Sequence, residues 1–147
     1  MEIELNGVKL RVYKDGKIER FWKSIDWKEV KGCISKSYCV VSINYKQYFR
    51  HRIVAMAYLR LDINNLTTQI DHIDRNKQNN NVSNLRIVSP QQNTFNTNAK
   101  GCHWHKKRNK WVSYICINGK TIYLGQFDTE EEANRVYLEA KKIYHII

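Results

Sequence analysis

An aspartate and a histidine stand side by side in the middle of the chain, and two asparagines follow at wide spacing. Asp71 and His72 come first, then Asn84 and Asn93. Histidine is the usual general base near neutral pH, and carboxylate and amide oxygens bind hard divalent cations. Hydrolysis of a phosphodiester needs an activated water and relief of charge at the phosphate. The set therefore predicts a one-metal site for that reaction.

The elements around these residues predict how they are positioned. The pattern indicates a strand over 69–73, a polar loop over 75–84, a strand over 85–88 and a helix over 91–96 that starts at Ser89-Pro90. Adjacent strand residues point to opposite sides, so a bend at the strand end would bring Asp71 and His72 to one site. Asn93 lies in the first helical turn and can face Asp71, whereas Asn84 suits a loop-holding role. Read separately, these asparagines are ordinary turn or surface residues.

The charge of the chain points to a polyanion as partner. Its 147 residues contain 25 Lys and Arg against 14 Asp and Glu, a formal net charge of +11. Each third of the chain is net positive, which is typical of a protein that lies along a nucleic acid. The alternative is a soluble basic protein without such a partner.

The sequence gives no sign of a membrane or secreted protein. There is no apolar run long enough for a membrane helix, and the acidic start at Met1 is unlike a secretory signal. We therefore expect an intracellular protein. The cysteines form no C-x-x-C pair, which favours free thiols; Cys102 with His105 could form half of a zinc site, but no second half is evident.

The first fifty residues have the pattern of short strands joined by tight turns. Asn6-Gly7 and Asp15-Gly16 are hairpin signals, and a further strand spans 38–43. Trp22 and Trp27 are expected to fill a small core. Residues 51–61 change to helical spacing.

The last third predicts a three-stranded sheet with one helix packed on it. Strands over 111–117 and 121–127 flank the turn signal Asn118-Gly119, and Thr129 to Glu132 is a helix capping box. The helical face is formed by Ala133, Val136, Tyr137, Ala140, Ile143 and Tyr144. The whole chain is thus expected to be α+β.

The middle segment resembles the HNH homing endonucleases of phages and mobile introns. The resemblance rests on His51 to Ala55, Ile70 to Lys77, Asn80-Asn81, Asn84 to Arg86, and Asn93. It implies a ββα-metal (His-Me) finger in which His72 is the general base and Asp71 and Asn93 hold the metal. It implies that Asn84 is the structural residue of the catalytic set. Asn93 in place of a histidine favours Mg²⁺ or Mn²⁺ over zinc.

The last third resembles an AP2 DNA-binding domain, whose sheet lies in the major groove. The resemblance rests on Gly101 to Trp104, Lys110-Trp111, Asn118 to Lys120, Tyr123 to Phe127, and Thr129 to Ala133. Positions where that family tends to carry arginine hold His103, His105 and Cys116, so we expect a different or weaker base preference. The expected DNA contacts are Lys100, His103, His105, Lys106, Lys107, Arg108, Lys110, Tyr114, Cys116, Lys120, Thr121 and Tyr123, with Arg52 and Arg86 in the finger.

Together these observations predict a small modular endonuclease that cuts double-stranded DNA. The expected parts are an N-terminal β-hairpin module over 1–50, the nuclease finger over 51–98 and the AP2-like domain over 99–147. We expect a monomer or homodimer, encoded by a phage or virus and acting in the host cell. The main alternative is a non-catalytic AP2 regulator with a degenerate finger, and a weaker one is an RNA-binding module. His51 could contact a phosphate or pack at a helix start.

Overall fold

The computed structural model describes residues 1–22 and 25–146 of the chain. Their backbone forms two compact units, Met1–Asn93 and Thr94–Ile147. Small antiparallel sheets and helices alternate along both, which confirms the predicted α+β class. The predicted three-part division at residues 50 and 98 stays a prediction.

The first unit begins with a four-stranded antiparallel sheet. Its first turn, at Asn6 and Gly7, has φ of 51° and 73°, the backbone that the Asn-Gly signal predicts for a two-residue hairpin. The strands lie in chain order: β1 (Glu2–Leu5), β2 (Val8–Val12), β3 (Ile18–Trp22) and β4 (Asp26–Glu29).

A second, three-stranded sheet contains β5 (Cys33–Ser35), β6 (Tyr38–Ile43) and β7 (Lys46–Phe49). The hairpin tips of the two sheets are bonded to each other: the Asn6 side chain donates to Asn44 O at 3.1 Å, and the Asn44 side chain donates to Asn6 O at 3.2 Å. Helix α1 (Arg50–Tyr58) follows at once. It is shorter than the predicted 51–61, because Arg60 adopts a left-handed φ of 59° that helical backbone cannot include.

The rest of the first unit contains the strand, loop, strand and helix that carry the candidate catalytic residues. Strand β8 (Gln69–His72) pairs with β9 (Leu85–Val88) in an antiparallel ladder, and a short 3₁₀ turn covers Val82–Asn84. Helix α2 (Pro90–Phe95) starts at Pro90, the predicted first helical position, and ends at Phe95, beside the predicted end at 96. Ser89 Oγ accepts a hydrogen bond from the Gln92 amide at 3.2 Å, so Ser89 caps this helix as expected.

One aliphatic core joins the N-terminal strands to α1 and β9. The expectation that Trp22 and Trp27 fill it was wrong. Both are half-buried, and Arg20 and Arg11 stack on their rings at 3.9 and 4.1 Å. Successive strand residues point to opposite faces of the sheet, and the inward-facing positions hold shorter, aliphatic side chains instead. The buried core residues are Leu5, Leu10, Val12, Ile18, Val30, Val41, Ile43, Ile53, Val54, Ala57 and Leu85.

The second unit is a three-stranded antiparallel sheet covered by one helix. Its small core contains Ile115, Tyr137 and Ala140. Thr129 Oγ1 accepts a hydrogen bond from the Glu132 amide at 3.2 Å, as the capping box predicts. The expected helical face is wrong at its last turn, because Ile143 and Tyr144 are exposed. The elements are β10 (Cys102–His105), β11 (Lys110–Ile117), β12 (Lys120–Phe127) and α3 (Glu130–Tyr144).

A glycine before the first strand lets the helix approach the sheet. Gly101 has φ of 65°, and a Cβ there would lie 1.9 Å from the ring of Tyr137. Its carbonyl accepts hydrogen bonds from the Ser113 hydroxyl at 3.2 Å and from the Tyr114 amide at 3.1 Å. Those two residues flank a β-bulge in β11. The bulge sets which side chains of the following stretch face outward.

Candidate functional site

The carboxylate proposed as a metal ligand is buried and lies opposite an arginine. Asp71 is 6% exposed and pairs directly with Arg86 across the β8–β9 ladder. The Arg86 guanidinium donates to Asp71 Oδ2 from Nε at 2.9 Å and from Nη2 at 2.7 Å. Charge-assisted bonds of this length are among the stronger ones in proteins, so they fix the orientation of the carboxylate.

The second proposed ligand is oriented by a residue that the sequence reading missed. Asn93 Nδ2 donates to Gln69 Oε1 at 2.7 Å. Gln69 precedes Asp71 by two positions on β8, so both residues lie on one face of the strand. Because the Asn93 nitrogen is used by Gln69, its amide oxygen is the atom left for a cation. Gln69 could have been found from the sequence, because strand alternation puts it on the same face as Asp71.

The proposed general base closes the same strand. His72 is 5% exposed, and its Nε2 lies 3.5 Å from Asn80 Oδ1. The Asn80 amide is itself fixed, because its Nδ2 donates to Gln78 O at 2.9 Å. This acceptor favours the tautomer with the proton on Nε2 and the lone pair on Nδ1. Burial lowers the pKa of His72, while Asn80, Asp74 and Asp71 act in the opposite direction.

Aromatic rings surround His72. The ring of His51 meets it edge-on with centroids 5.1 Å apart, and Tyr38 lies at 6.1 Å. His51 also stacks on Phe49 at 5.4 Å. Burial, and then the nearby His72, lower the pKa of His51 to about 3. Its Nδ1 is buried and makes no hydrogen bond within the described residues. The geometry of His51 is therefore that of a packing residue.

Asn84 ties both ends of the loop after β8 together. Its Oδ1 accepts from the Asp74 amide at 2.9 Å, and its Nδ2 donates to Asp74 Oδ1 at 2.8 Å and to Asn79 O at 2.9 Å. Its own carbonyl accepts from the Ile73 amide at 2.9 Å. A hydrogen bond from Asn79 is the largest cause of a lowered pKa at Asp74. The side chain therefore holds the shape of this loop.

The N-terminal hairpin braces this loop from outside. The Val82 amide donates to Lys14 O at 2.8 Å. A Cβ on Gly16, where φ is 93°, would lie 2.9 Å from Asn80 O. Arg50 extends the brace by donating to Gly16 O at 3.3 Å and to Val30 O at 3.0 Å. Asn80, which faces His72, is therefore supported by strands that are far away in sequence.

The donor set fits a hard divalent cation that keeps water or substrate ligands. Asp71 supplies a carboxylate and Asn93 an amide oxygen, the ligand types that Mg²⁺ and Mn²⁺ prefer. Among residues 1–22 and 25–146, no group of three or more His, Cys, Asp or Glu side chains is placed to hold a metal. Cys102 and His105 thus have no third such ligand within those ranges.

Arg52, one of the expected phosphate contacts, is engaged elsewhere. Its guanidinium donates to Thr68 O at 2.9 Å and to Asn65 O at 2.7 Å. These bonds hold the polar linker between α1 and β8 in place. Arg86, the other finger arginine, contacts Asp71 as described above.

A row of three rings crosses the sheet of the second unit. His103 and Tyr114 stack with centroids 5.7 Å apart, and Tyr114 and Tyr123 lie 5.5 Å apart. Each ring comes from a different strand, in the order β10, β11, β12. Exposed Cys116 and Thr121 are register partners beside them. The structure thus brings five of the predicted contacts, His103, Tyr114, Cys116, Thr121 and Tyr123, onto one face of the sheet.

The predicted basic contacts of this unit fall into two groups. Lys100 pairs with Glu130 at 2.5 Å, and Lys110 pairs with Asp128. Lys106, Lys107, Arg108 and Lys120 are exposed, three of them in the turn after β10 and one at the start of β12. His105 is half-buried at the end of β10. Paired lysines give a weaker positive field than exposed unpaired ones.

No helix within the described ranges has the length and apolarity that crossing a membrane requires.

Two family models match successive parts of the chain. Residues 48–95 match the HNH endonuclease family and residues 97–145 match the AP2 domain. An uncharacterised HNH endonuclease of Acanthamoeba polyphaga mimivirus is 40% identical over 80 residues, which cover 51% of this chain and 42% of the viral protein. A second one is 47% identical over 60 residues, covering 38% and 18%. The chain thus spans less than half the length of these relatives.

Two further matches cover a larger share of the matched protein. Protein 3.8 of Escherichia phage T7 is 29% identical over 83 residues, covering 51% of this chain and 69% of the phage protein. The solved structure of the HNH homing endonuclease I-HmuI, described as DNA binding and cleavage, aligns with a TM-score of 0.52 at 23% identity, covering 84% of this chain and 76% of the other. At that identity the likeness concerns the fold. The chain carries an HNH endonuclease domain over residues 48–95 and an AP2 domain over residues 97–145.

Proposed function

We propose that this protein is a metal-dependent endonuclease of the homing type that cuts double-stranded DNA. The observation that carries the proposal is the arrangement at the end of β8. Buried Asp71 and His72 are adjacent, Asn84 fixes the loop behind them, and Gln69 holds Asn93 over the strand face of Asp71. A merely structural loop would not need a buried histidine beside an oriented pair of oxygen ligands.

His72 acts as the general base. The Asn80 oxygen keeps the proton on Nε2, so Nδ1 accepts a proton from water as the water attacks phosphorus. The lowered pKa keeps the ring neutral at pH 7, which is the form that accepts a proton. The bond from phosphorus to the 3′ oxygen then breaks, and a solvent water protonates that oxygen, so that the products carry a 5′-phosphate and a 3′-hydroxyl.

Asp71 and Asn93 would hold a Mg²⁺ or Mn²⁺ ion. Such an ion, when bound, offsets negative charge at the phosphate and at the leaving 3′ oxygen. The chain contributes the orientation of both ligands through Arg86 and Gln69. Asn84 acts indirectly, because it positions the loop and does not touch the reacting atoms.

The second unit is proposed to bind the duplex through its aromatic face. Arginine is the usual bidentate reader of guanine, and the central positions of this face hold His103, Tyr114 and Tyr123 instead. Lys106, Lys107, Arg108 and Lys120 are proposed to contact phosphates, so that affinity falls with salt. The strands of residues 1–50 serve as an accessory module.

One finger per chain gives one active site. A monomer would therefore nick one strand, and a double-strand break would need a homodimer or two successive events. The relatives from a giant virus and a phage favour a viral gene whose product acts inside the host cell.

A plasmid-cleavage assay tests the proposal. The full chain is incubated with supercoiled plasmid and Mg²⁺ or Mn²⁺, beside His72→Ala, and DNA binding is measured in parallel. We expect nicking by the parent chain, a fall of about a thousandfold or more in His72→Ala, and equal binding by both. Equal inactivity with retained binding would instead support an AP2-type regulator with a degenerate finger. A clear preference for RNA in competition with duplex DNA would contradict both readings.

A further inference from the structure

We propose that Arg86 competes with the divalent cation for Asp71, and that a DNA phosphate relieves this competition by taking the guanidinium. Cation binding and DNA binding would then reinforce each other. The inference rests on the proposed function, since it assumes that Asp71 is a cation ligand.

The contact itself is a strong one. Both Nε and Nη2 of Arg86 donate to the single oxygen Oδ2 of Asp71, at 2.9 and 2.7 Å. The Asp71 side chain is 8% exposed, so water contributes little to the neutralisation of its charge. A guanidinium keeps its charge at every accessible pH. The carboxylate is therefore already neutralised by the chain itself.

The geometry puts this positive charge on the ligand face. Asp71 and Arg86 are directly opposed in the β8–β9 ladder, so their side chains share one face. Gln69 lies on that face as well, and it holds the Asn93 amide at 2.7 Å. A cation bound by Asp71 and Asn93 would thus share its carboxylate with Arg86. Like charges at such separations repel, which weakens the binding of the cation.

The exposure of the arginine indicates how the competition ends. The Arg86 side chain is 29% exposed, against 8% for that of Asp71, so the guanidinium has access to solvent where the carboxylate has little. Phosphate is the other anion that arginine binds with its two-pronged fork. A backbone phosphate at the strand end can therefore take the guanidinium and leave the carboxylate to the cation.

A purely structural ion pair predicts the opposite sign. If Arg86 only held Asp71 in position, its removal would disorder the carboxylate and weaken cation binding. If Arg86 competes, its removal strengthens cation binding in the absence of DNA. The sign of the change in Mn²⁺ affinity therefore distinguishes the two roles.

The experiment measures Mn²⁺ binding by electron paramagnetic resonance, with no readout of cleavage. The full chain carries His72→Ala throughout, so that DNA stays intact, and is titrated with and without a short duplex. Arg86→Gln is the test variant and Asp71→Asn defines the signal that belongs to this site. We expect Arg86→Gln to bind Mn²⁺ about tenfold more tightly without DNA, and the duplex to tighten binding about tenfold only when Arg86 is present.

The outcomes separate this inference from the proposed function. Asp71-dependent binding that Arg86→Gln leaves unchanged or weakens overturns the competition and keeps the metal site. Binding that Asp71→Asn leaves unchanged overturns both. Arg86→Lys, which keeps the charge and loses the fork, is expected to fall between parent and Arg86→Gln. It carries the same test if circular dichroism finds Arg86→Gln unfolded.

Discussion

The finger and the sheet of the second unit present polar chemistry in opposite ways. In the finger, Asp71, His72, Asn80 and Asn84 are all buried and each is bonded to named neighbours. On the sheet, the rings face outward and Tyr123 is 49% exposed. A buried, mutually bonded set is prepared before the substrate arrives, whereas an exposed face takes its final contacts from its partner.

This difference has a consequence for mutations. A buried polar group that loses its partner costs the full desolvation of that group, so changes in the finger should reduce stability and activity together. Changes on an exposed face should reduce affinity alone, and independent positions should add. Substitutions at three places, each with a control or a matched variant, test this contrast.

The largest effect is expected at Asn84. Asn84→Ala removes three side-chain hydrogen bonds around the loop, two with Asp74 and one with the carbonyl of Asn79. We expect a loss of about 3 kcal/mol in the free energy of unfolding, together with loss of cleavage. Urea denaturation followed by circular dichroism measures the first, and the plasmid assay the second.

Asn76→Ala is the matched control for that experiment. Asn76 lies in the same loop, is exposed, and its side chain accepts one bond, from the Gln78 amide at 3.1 Å. Its loss should cost under about 1 kcal/mol. Equal costs for both asparagines would refute the idea that Asn84 holds the loop.

A smaller effect is expected from acid at His51. Its pKa in the folded chain is about 3, below the ordinary value of 6.5, so protonation favours the unfolded state. Stability should be complete above pH 6.5 and fall as the pH drops toward 3. The fall between pH 7 and pH 5 is expected to be about 2 kcal/mol, measured by urea denaturation in a chelator.

His51→Phe keeps the ring and removes the titration. The variant should retain its stability over this pH range better than the parent by about the same 2 kcal/mol. An unchanged slope would mean that His51 is accessible to protons in the folded chain, and that its packing against His72 and Phe49 is looser than described.

The smallest effect is expected on the aromatic face. Tyr114→Ala and Tyr123→Ala should each weaken duplex binding about fivefold, or about 1 kcal/mol, without changing the stability ranking of the finger variants. Tyr144→Ala is the control, because Tyr144 is 47% exposed and lies on α3 instead of the sheet. Fluorescence anisotropy on a labelled duplex measures the three affinities. An equal loss for all three tyrosines would argue against a specific role of the sheet.

Local signals were the part of the fold that the sequence predicted best. Asn6-Gly7 and Asn118-Gly119 adopt the positive φ that their turn type needs. Ser89 and Thr129 cap the helices that they were expected to cap. Each of these features depends on a few adjacent residues whose conformational preferences are strong. The order of the candidate catalytic residues on strand, loop, strand and helix followed from the same kind of signal.

Features that depend on distant neighbours were predicted less well. Strand β5 is exposed along its whole length, so no alternation of apolar residues could reveal it. Trp22 and Trp27 were placed in a core because they are large and apolar, yet arginines stack on them at half-buried positions. Ile143 and Tyr144 keep helical spacing beyond the end of the surface that α3 covers.

Within the site, residue types were easier to predict than their partners. The set of Asp71, His72, Asn84 and Asn93 could be read from spacing, and their roles stay predictions. The bonds from Gln69 to Asn93 and from Arg86 to Asp71 depend on strand register, which the sequence leaves open. The same is true of Arg52, whose partners lie in the linker after α1.

The close packing of Gly16 against Asn80 has a consequence for how such proteins could be assembled by recombination. The hairpin that contains Gly16 and the loop that contains Asn80 touch backbone to backbone and share one aliphatic core. An exchange that separated them would have to remake a tight surface at the same moment. A crossover after Phe95, where helix α2 ends, would leave that surface and the helix whole. The hairpin and the loop would therefore be inherited together, as one piece of the gene.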